Sequence, residues 1–283
     1  WDMVRDGELA ASHFLKAALQ ALDVEEHSSV IQGLLGRITT CLSAFLPPAV
    51  RRDLAPGTAD RLLELARAAQ AGSDKQLQLV RAVAAHAVTG EQLDVVAGFL
   101  EGTSALEGLD VDQDLRWDLL TGLVAAGRFG EERIHAEEAR DRTTTGRERA
   151  AESRAAIPTP EAKEATWRAL VDDASMPNET QVRVLRGLTS VERRPDLLVP
   201  FVSEYVEAID SLWSSRTFHM AENLLTGLWS CATVGLDGAD PAAALEGWLE
   251  SHAQAPAALR RIVRENLDDT RRVARAQAAE TSE

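Results

Sequence analysis

Arg61-Leu62-Leu63-Glu64-Leu65-Ala66-Arg67-Ala68-Ala69 decides the fold class, together with Ser73-Asp74-Lys75-Gln76-Leu77-Gln78-Leu79-Val80-Arg81-Ala82-Val83-Ala84-Ala85-His86-Ala87. In the first run Leu62, Leu65, Ala66 and Ala69 fall on one face of a helix. In the second, Leu77, Val80, Val83 and Ala87 do the same. Ser73-Asp74 between them is a helix-start signal, because a short side-chain oxygen accepts from a free first-turn N–H. Two amphipathic helices joined this closely bury their apolar stripes by packing antiparallel.

Outward from this pair the pattern repeats, with Val182, Leu185 and Leu188, then Leu224, Leu228 and Cys231. Sustained strand-like alternation bounded by hairpin turns is missing. Thr58 reads as another N-cap, Thr159-Pro160-Glu161 and Asp240-Pro241 as cap-proline starts, and Pro177-Asn178-Glu179 as a further opening. Gly102, Gly108, Gly127, Gly130 and Pro256 stand where helices should stop. These marks predict roughly fourteen helices of about 10–20 residues joined by short turns. The expected fold is all-α, a HEAT- or armadillo-like superhelix of antiparallel helix pairs, with 1–283 as one domain. Glu131 to Ser153, rich in Glu and Arg with Ile134 as its large aliphatic anchor, is expected to be an exposed helical pair on one rim. Ala278 to Glu283 is expected to be a frayed tail.

Composition agrees. Of 283 residues, 45% are hydrophobic and 5% aromatic, with Tyr205 the single tyrosine. That favours helix over sheet. The length exceeds the usual compact domain but suits a solenoid, whose repeats bury apolar surface only against neighbours. A formal net charge of −15 repels phosphate backbones and acidic lipid surfaces, so neither nucleic acid nor membrane is an expected partner. Cys41 and Cys231 match no metal or redox spacing, which points to a reducing, cytoplasmic setting. No run approaches the roughly 18 apolar residues of a membrane span. Trp1-Asp2-Met3-Val4-Arg5-Asp6 has no signal-peptide pattern. It is expected to start mid-helix in a piece of a larger protein, with Trp1 as an interface residue.

Catalytic motifs are absent. A zinc hydrolase needs two imidazoles on one helical face and a carboxylate beside the bound water, as in H-E-x-x-H. His13, His27, His86, His135, His219 and His252 include none followed by Glu and no two four residues apart. Glu132-x-x-His135 lacks the second such pair that a di-iron bundle requires, and reads as surface. His219 and Glu222 share a helical face, which suits capping or packing better than a catalytic dyad. No G-x-S-x-G elbow, P-loop or G-x-G-x-x-G occurs. Trp117, Trp213 and Trp229 read as fillers between stacked helices, with a contact surface as the alternative. Arg216, expected at a helix start where a cation opposes the macrodipole, hints at an acidic partner group such as a carboxylate.

Several stretches resemble the C-terminal region of bacterial aminopeptidase N proteins. They are Trp1-Asp2-Met3-Val4-Arg5-Asp6 with Glu8-Leu9, and Arg116-Trp117-Asp118-Leu119-Leu120 with Gly127-Arg128 and Glu137-Glu138. Met176-Pro177-Asn178-Glu179, Arg193-Arg194-Pro195-Asp196-Leu197-Leu198 with Phe201, and Pro256-Ala257-Ala258-Leu259-Arg260-Arg261-Ile262-Val263 with Asp268-Asp269 complete the likeness. It covers essentially the whole chain and lies in the order and spacing of packing and capping residues. The resemblance implies a non-catalytic domain that closes a peptide chamber over an upstream zinc peptidase domain. Zinc, its ligands and the general base would belong to that domain, and no cofactor is expected within these residues. Peptide substrates and the upstream catalytic domain are the implied partners. Arg116, Trp117, Arg216 and Asn223 are the expected substrate-channel or interdomain contacts. The alternative is a stand-alone HEAT-like scaffold that grips a partner helix or an extended peptide.

Overall fold

The computed structural model describes residues 1–280. Among these residues there are fifteen α-helices and no strand. In chain order they are α1 (Asp2–Arg5), α2 (Ala11–Val24), α3 (Ser28–Thr40), α4 (Pro48–Ala68) and α5 (Asp74–His86). Next come α6 (Gly90–Glu101), α7 (Gln113–Ala125), α8 (Glu131–Arg140), α9 (Thr144–Ala155) and α10 (Pro160–Asp172). The last are α11 (Asn178–Leu188), α12 (Phe201–Ser215), α13 (Phe218–Gly227), α14 (Pro241–Ser251) and α15 (Ala257–Glu280). A π-helical turn, Cys41–Phe45, follows α3, and 3-10 turns occupy Pro195–Leu198 and Cys231–Thr233.

The helices form two layers. In one, α3, α5, α7, α9, α11, α13 and α15 lie side by side in succession; α4, α6, α8, α10, α12 and α14 pack on their neighbours in that row. Each pair therefore buries its stripe against the next, as a superhelix requires. The row also returns to its beginning, because α15 packs on α1, α2 and the π-helical turn. Gln277 Nε2 donates to Ala44 O at 2.7 Å and to Val234 O at 3.2 Å. One apolar cluster runs from Val4 to Ala156 and takes in Val273 and Ala276 of α15; a second runs from Ala155 to Leu267. No described helix is long and apolar enough to cross a membrane.

Most of the expected punctuation is in place. Ser73 Oγ accepts from Gln76 N, Thr159 Oγ1 from Ala162 N and Asp240 Oδ1 from Ala243 N. Gly102, Gly108 and Gly127 take the left-handed conformation after helices or turns. Thr58 does not start a helix: α4 runs through it, and its hydroxyl donates to Leu54 O at 2.8 Å. Pro56, inside α4, lacks the N–H that would reach the carbonyl of Arg52. Arg52 is exposed, so solvent is open to that carbonyl.

Three other expectations are corrected. The segment around Glu131 to Ser153 is not an exposed pair, because α9 lies in the inner row with Gly146, Arg149, Ala150, Glu152, Ser153 and Ala155 buried. Its charges are paired and its small residues allow close approach: a Cβ on Gly187 of α11 would lie 2.1 Å from Glu152 O. Trp1 is half-buried and stacked on Phe45 at 5.4 Å, inside this chain's own packing. The tail is helical as far as Glu280, whose Oε1 accepts from Ser12 N at 2.6 Å. The rest of that expected tail, 281–283, lies outside the described residues.

Candidate functional site

The site grows from the C-terminal end of α5. Carbonyls in the last turn of a helix have no intrahelical partner. Here they are met by the link between α11 and α12: Arg193 Nε donates to Ala87 O at 2.8 Å and its Nη2 to Ala85 O at 3.0 Å. Beside it, Glu192 Oε2 bonds His86 Nδ1 at 2.9 Å, while His86 Nε2 meets Thr39 Oγ1 at 2.9 Å. Arg51, in the first turn of α4, donates to Leu42 O at 3.3 Å and Ser43 O at 2.9 Å. Burial pushes the Glu192 carboxyl up, but His86, then Arg193 and Arg51, outweigh it and hold it below the usual range. Desolvation lowers the guanidiniums of the half-buried Arg193 and the buried Arg51.

These residues border a groove of about 890 Å³ between the N-terminal half of α4, the ends of α5 and α7, and the Glu192–Asp196 link. Arg51, Arg52, Arg193 and Arg194 line it against Glu192 and Asp196. In a chain of net charge −15, this local excess of cations marks the groove out. Arg194 is committed to Asp196 at 2.7 Å. Arg52 is exposed, and its side chain makes no hydrogen bond or ion pair among the described residues. Much of the remaining wall is small and apolar, including Ala55, Pro56, Ala126, Pro158 and Leu236. Such a groove can hold an extended chain and attract a carboxylate at its rim. It contains no nucleophile–base pair, and no group of three or more His, Cys, Asp or Glu among the described residues is placed to hold a metal.

The four residues singled out from sequence lie elsewhere. Arg116 forms a bidentate pair with Glu137, at 2.7 Å and 2.6 Å, and donates to Leu100 O. Glu137 is buried; desolvation raises its carboxyl, and the bonds from Arg116 and Gln113 bring it below the usual range. Trp117 is 0% exposed and donates Nε1–H to Asp141 Oδ2 at 2.9 Å, so it presents no surface for a channel contact. Arg216 caps the C-terminal end of α12 and donates to Val171 O at the end of α10, and it also stands one residue before Thr217, the N-cap of α13. A cation there agrees with the macrodipoles of α12 and α10, which outnumber the opposed one of α13. Asn223 donates to Asn178 Oδ1 at 3.0 Å.

Arg116 and Trp117 are neighbours on α7, and Arg216 and Asn223 belong to the α10–α13 region; none of the four lines the groove. No His219–Glu222 dyad forms: His219 meets Asn223, and Glu222 pairs with Arg261 at 2.9 Å. Glu132 and His135 are exposed. Arg51, Arg52, Glu192 and Arg193 were missed. The available signal was weak: Arg51-Arg52 and Arg193-Arg194 are two of four Arg-Arg pairs, the others being Arg260-Arg261 and Arg271-Arg272. Only the fold brings them together.

The sequence pattern of the ERAP1-like C-terminal domain family matches residues 1–272. Aminopeptidase N of Streptomyces lividans is 39% identical over 282 residues, covering 100% of this chain and 32% of that relative. The chain thus spans about a third of the length of the curated relative it matches. With its two-layered helical row and a match over nearly its whole length, the chain belongs to the ERAP1-like C-terminal domain family.

Proposed function

We propose that this chain is the non-catalytic C-terminal domain of a zinc-dependent aminopeptidase of the cytoplasm. It would close the substrate chamber over the upstream catalytic domain and limit which peptides reach the active site. The observation that carries this reading is the arginine-lined groove, found in a chain that resembles one third of an aminopeptidase N. Zinc would be held by the upstream domain, where it supplies Lewis-acid chemistry. The donor sets described here do not fit it, and no step is assigned to these residues. What this chain would supply is shape and charge: a groove that can hold an extended chain, and cations that draw the free carboxylate of a peptide.

Arg216 and Asn223 are proposed as contacts with the adjoining domain. The supporting feature is Phe218 between them in sequence, 53% exposed and edge-on to Trp213. A stand-alone scaffold is favoured by no specific observation.

The test is a substrate-length series with the full-length protein. Arg52→Ala should raise KM several-fold for peptides with a free C-terminal carboxylate and leave a short aminoacyl anilide unchanged, because remote binding is lost without touching the chemistry. Equal effects on both substrates would remove the groove from the account.

A further inference from the structure

A second cavity, of about 240 Å³, adjoins the groove in the layer of α5, α7 and α9 and shares Glu192 and Arg193 with it. Its acids are already engaged. Asp118 sits between Arg81, at 2.8 Å, and Arg149. Glu152 takes Arg149 at 3.0 Å, Arg183 at 3.3 Å and Arg186 at 3.9 Å, and Glu192 is held by His86. Three guanidiniums (Arg81, Arg149, Arg193) and three carboxylates (Asp118, Glu152, Glu192) line the cavity, so every acid there is already matched by a cation.

Donors are also left over. Both Nη groups of Arg81 and the Nη1 of Arg193 have no hydrogen-bond partner among the described residues, and both side chains line the cavity. Ala85 and Gly122 keep the floor small, and the wall includes the hydroxyls of Thr121 and Ser190. A metal ion would find no carboxylate here that is not already engaged by an arginine or by His86. An anion would meet unused N–H groups in the planar fork that recognises oxyanions.

We propose that this cavity is a binding site for a small oxyanion, a phosphate or a carboxylate, bridged between Arg81 and Arg193. Arg81 belongs to α5, in the first apolar cluster's row, whereas Arg193 arrives on the link that follows α11 of the second. A bound oxyanion would therefore fasten the two clusters together at the point where the α11–α12 link meets α5. The site stands apart from the chamber reading, because its readout is binding rather than peptide hydrolysis.

The experiment is titration calorimetry and thermal melting of the full 283-residue chain with sodium phosphate, sodium acetate or sodium chloride at matched ionic strength. Phosphate or acetate should bind once per chain and raise Tm, with chloride inert. Binding by phosphate alone identifies an inorganic oxyanion, and by acetate alone a carboxylate. Arg81→Met should weaken binding by about tenfold or more, as expected when a charge-assisted fork is lost, and Arg81→Lys should retain part of it. Arg67→Met, an exposed arginine of α4 outside the cavity, should leave binding unchanged and serves as the folding control. No saturable binding of either oxyanion, or unchanged binding in a folded Arg81→Met protein, would overturn the proposal.

Discussion

Lys163 shows what single residues contribute. It is 0% exposed, and its ammonium donates to Ala155 O at 2.7 Å, Gly187 O at 3.1 Å and Leu188 O at 3.0 Å, tying the end of α9 to that of α11. Burial pushes it down to about 7 from an ordinary 10.5. Lys163→Met should destabilise the chain by about 2 kcal/mol near neutral pH, since the three carbonyls lose their partner. The sign of the pH effect follows from the lowered value. Between about 7 and 10.5 the unfolded chain holds a proton that the folded one has released, so the wild type should gain stability over Lys163→Met as pH rises through that window. Urea titrations of both proteins at two pH values check this, and parallel pH curves would refute it. Glu137 runs the other way: its folded value lies below 4.5, so its contribution is present above 4.5 and fades as acid protonates it. Glu137→Gln should cost about 1–2 kcal/mol at neutral pH by leaving the half-buried Arg116 beside a weaker partner. The same variant should also flatten the loss of stability below pH 4.5, measured by acid-dependent denaturant melts.

At the scale of elements, the decisive contact is α9 on α11. Gly187→Ala places a methyl 2.1 Å from Glu152 O, a backbone atom that cannot rotate away, so the helices must separate. A loss of about 2–3 kcal/mol is expected, the cost of overpacking. Gly247→Ala on α14, with nothing within 4 Å, should instead gain about 0.5–1 kcal/mol from helix propensity alone. Denaturation midpoints of the two variants moving in the same direction would contradict this packing. Helix identity was legible in sequence because periodicity and caps are local signals, and Ser73, Thr159 and Asp240 all cap as read. The depth of α9 was not legible. Its Arg149 and Glu152 look like surface until α7 and α11 supply Asp118 and Arg183 from 31 residues away on either side. Thr58 was misread for a related reason: its hydroxyl can cap a helix start or bond back to the preceding turn, and α4 running on through it decides for Leu54 O.

At the scale of the molecule, the row of inner helices returns to its start through α15, and the α11–α12 link fastens to α5 across 106 residues. Family and fold class were readable because order and spacing of packing residues persist along the whole chain. The groove was not, since it is assembled from α4, α5, α7 and the link, whose arginines carry no local motif. Arg116 and Trp117 stood out by residue type, yet the fold uses them on Glu137 and Asp141. The central claim is that this domain shapes access while the chemistry lies upstream. The most direct measurement is hydrolysis of alanyl and leucyl chromogenic amides, with zinc added, by the 283-residue chain beside the full-length protein. Turnover by the full-length protein and none by the chain is the predicted result. Zinc-dependent turnover by the chain itself would contradict the account.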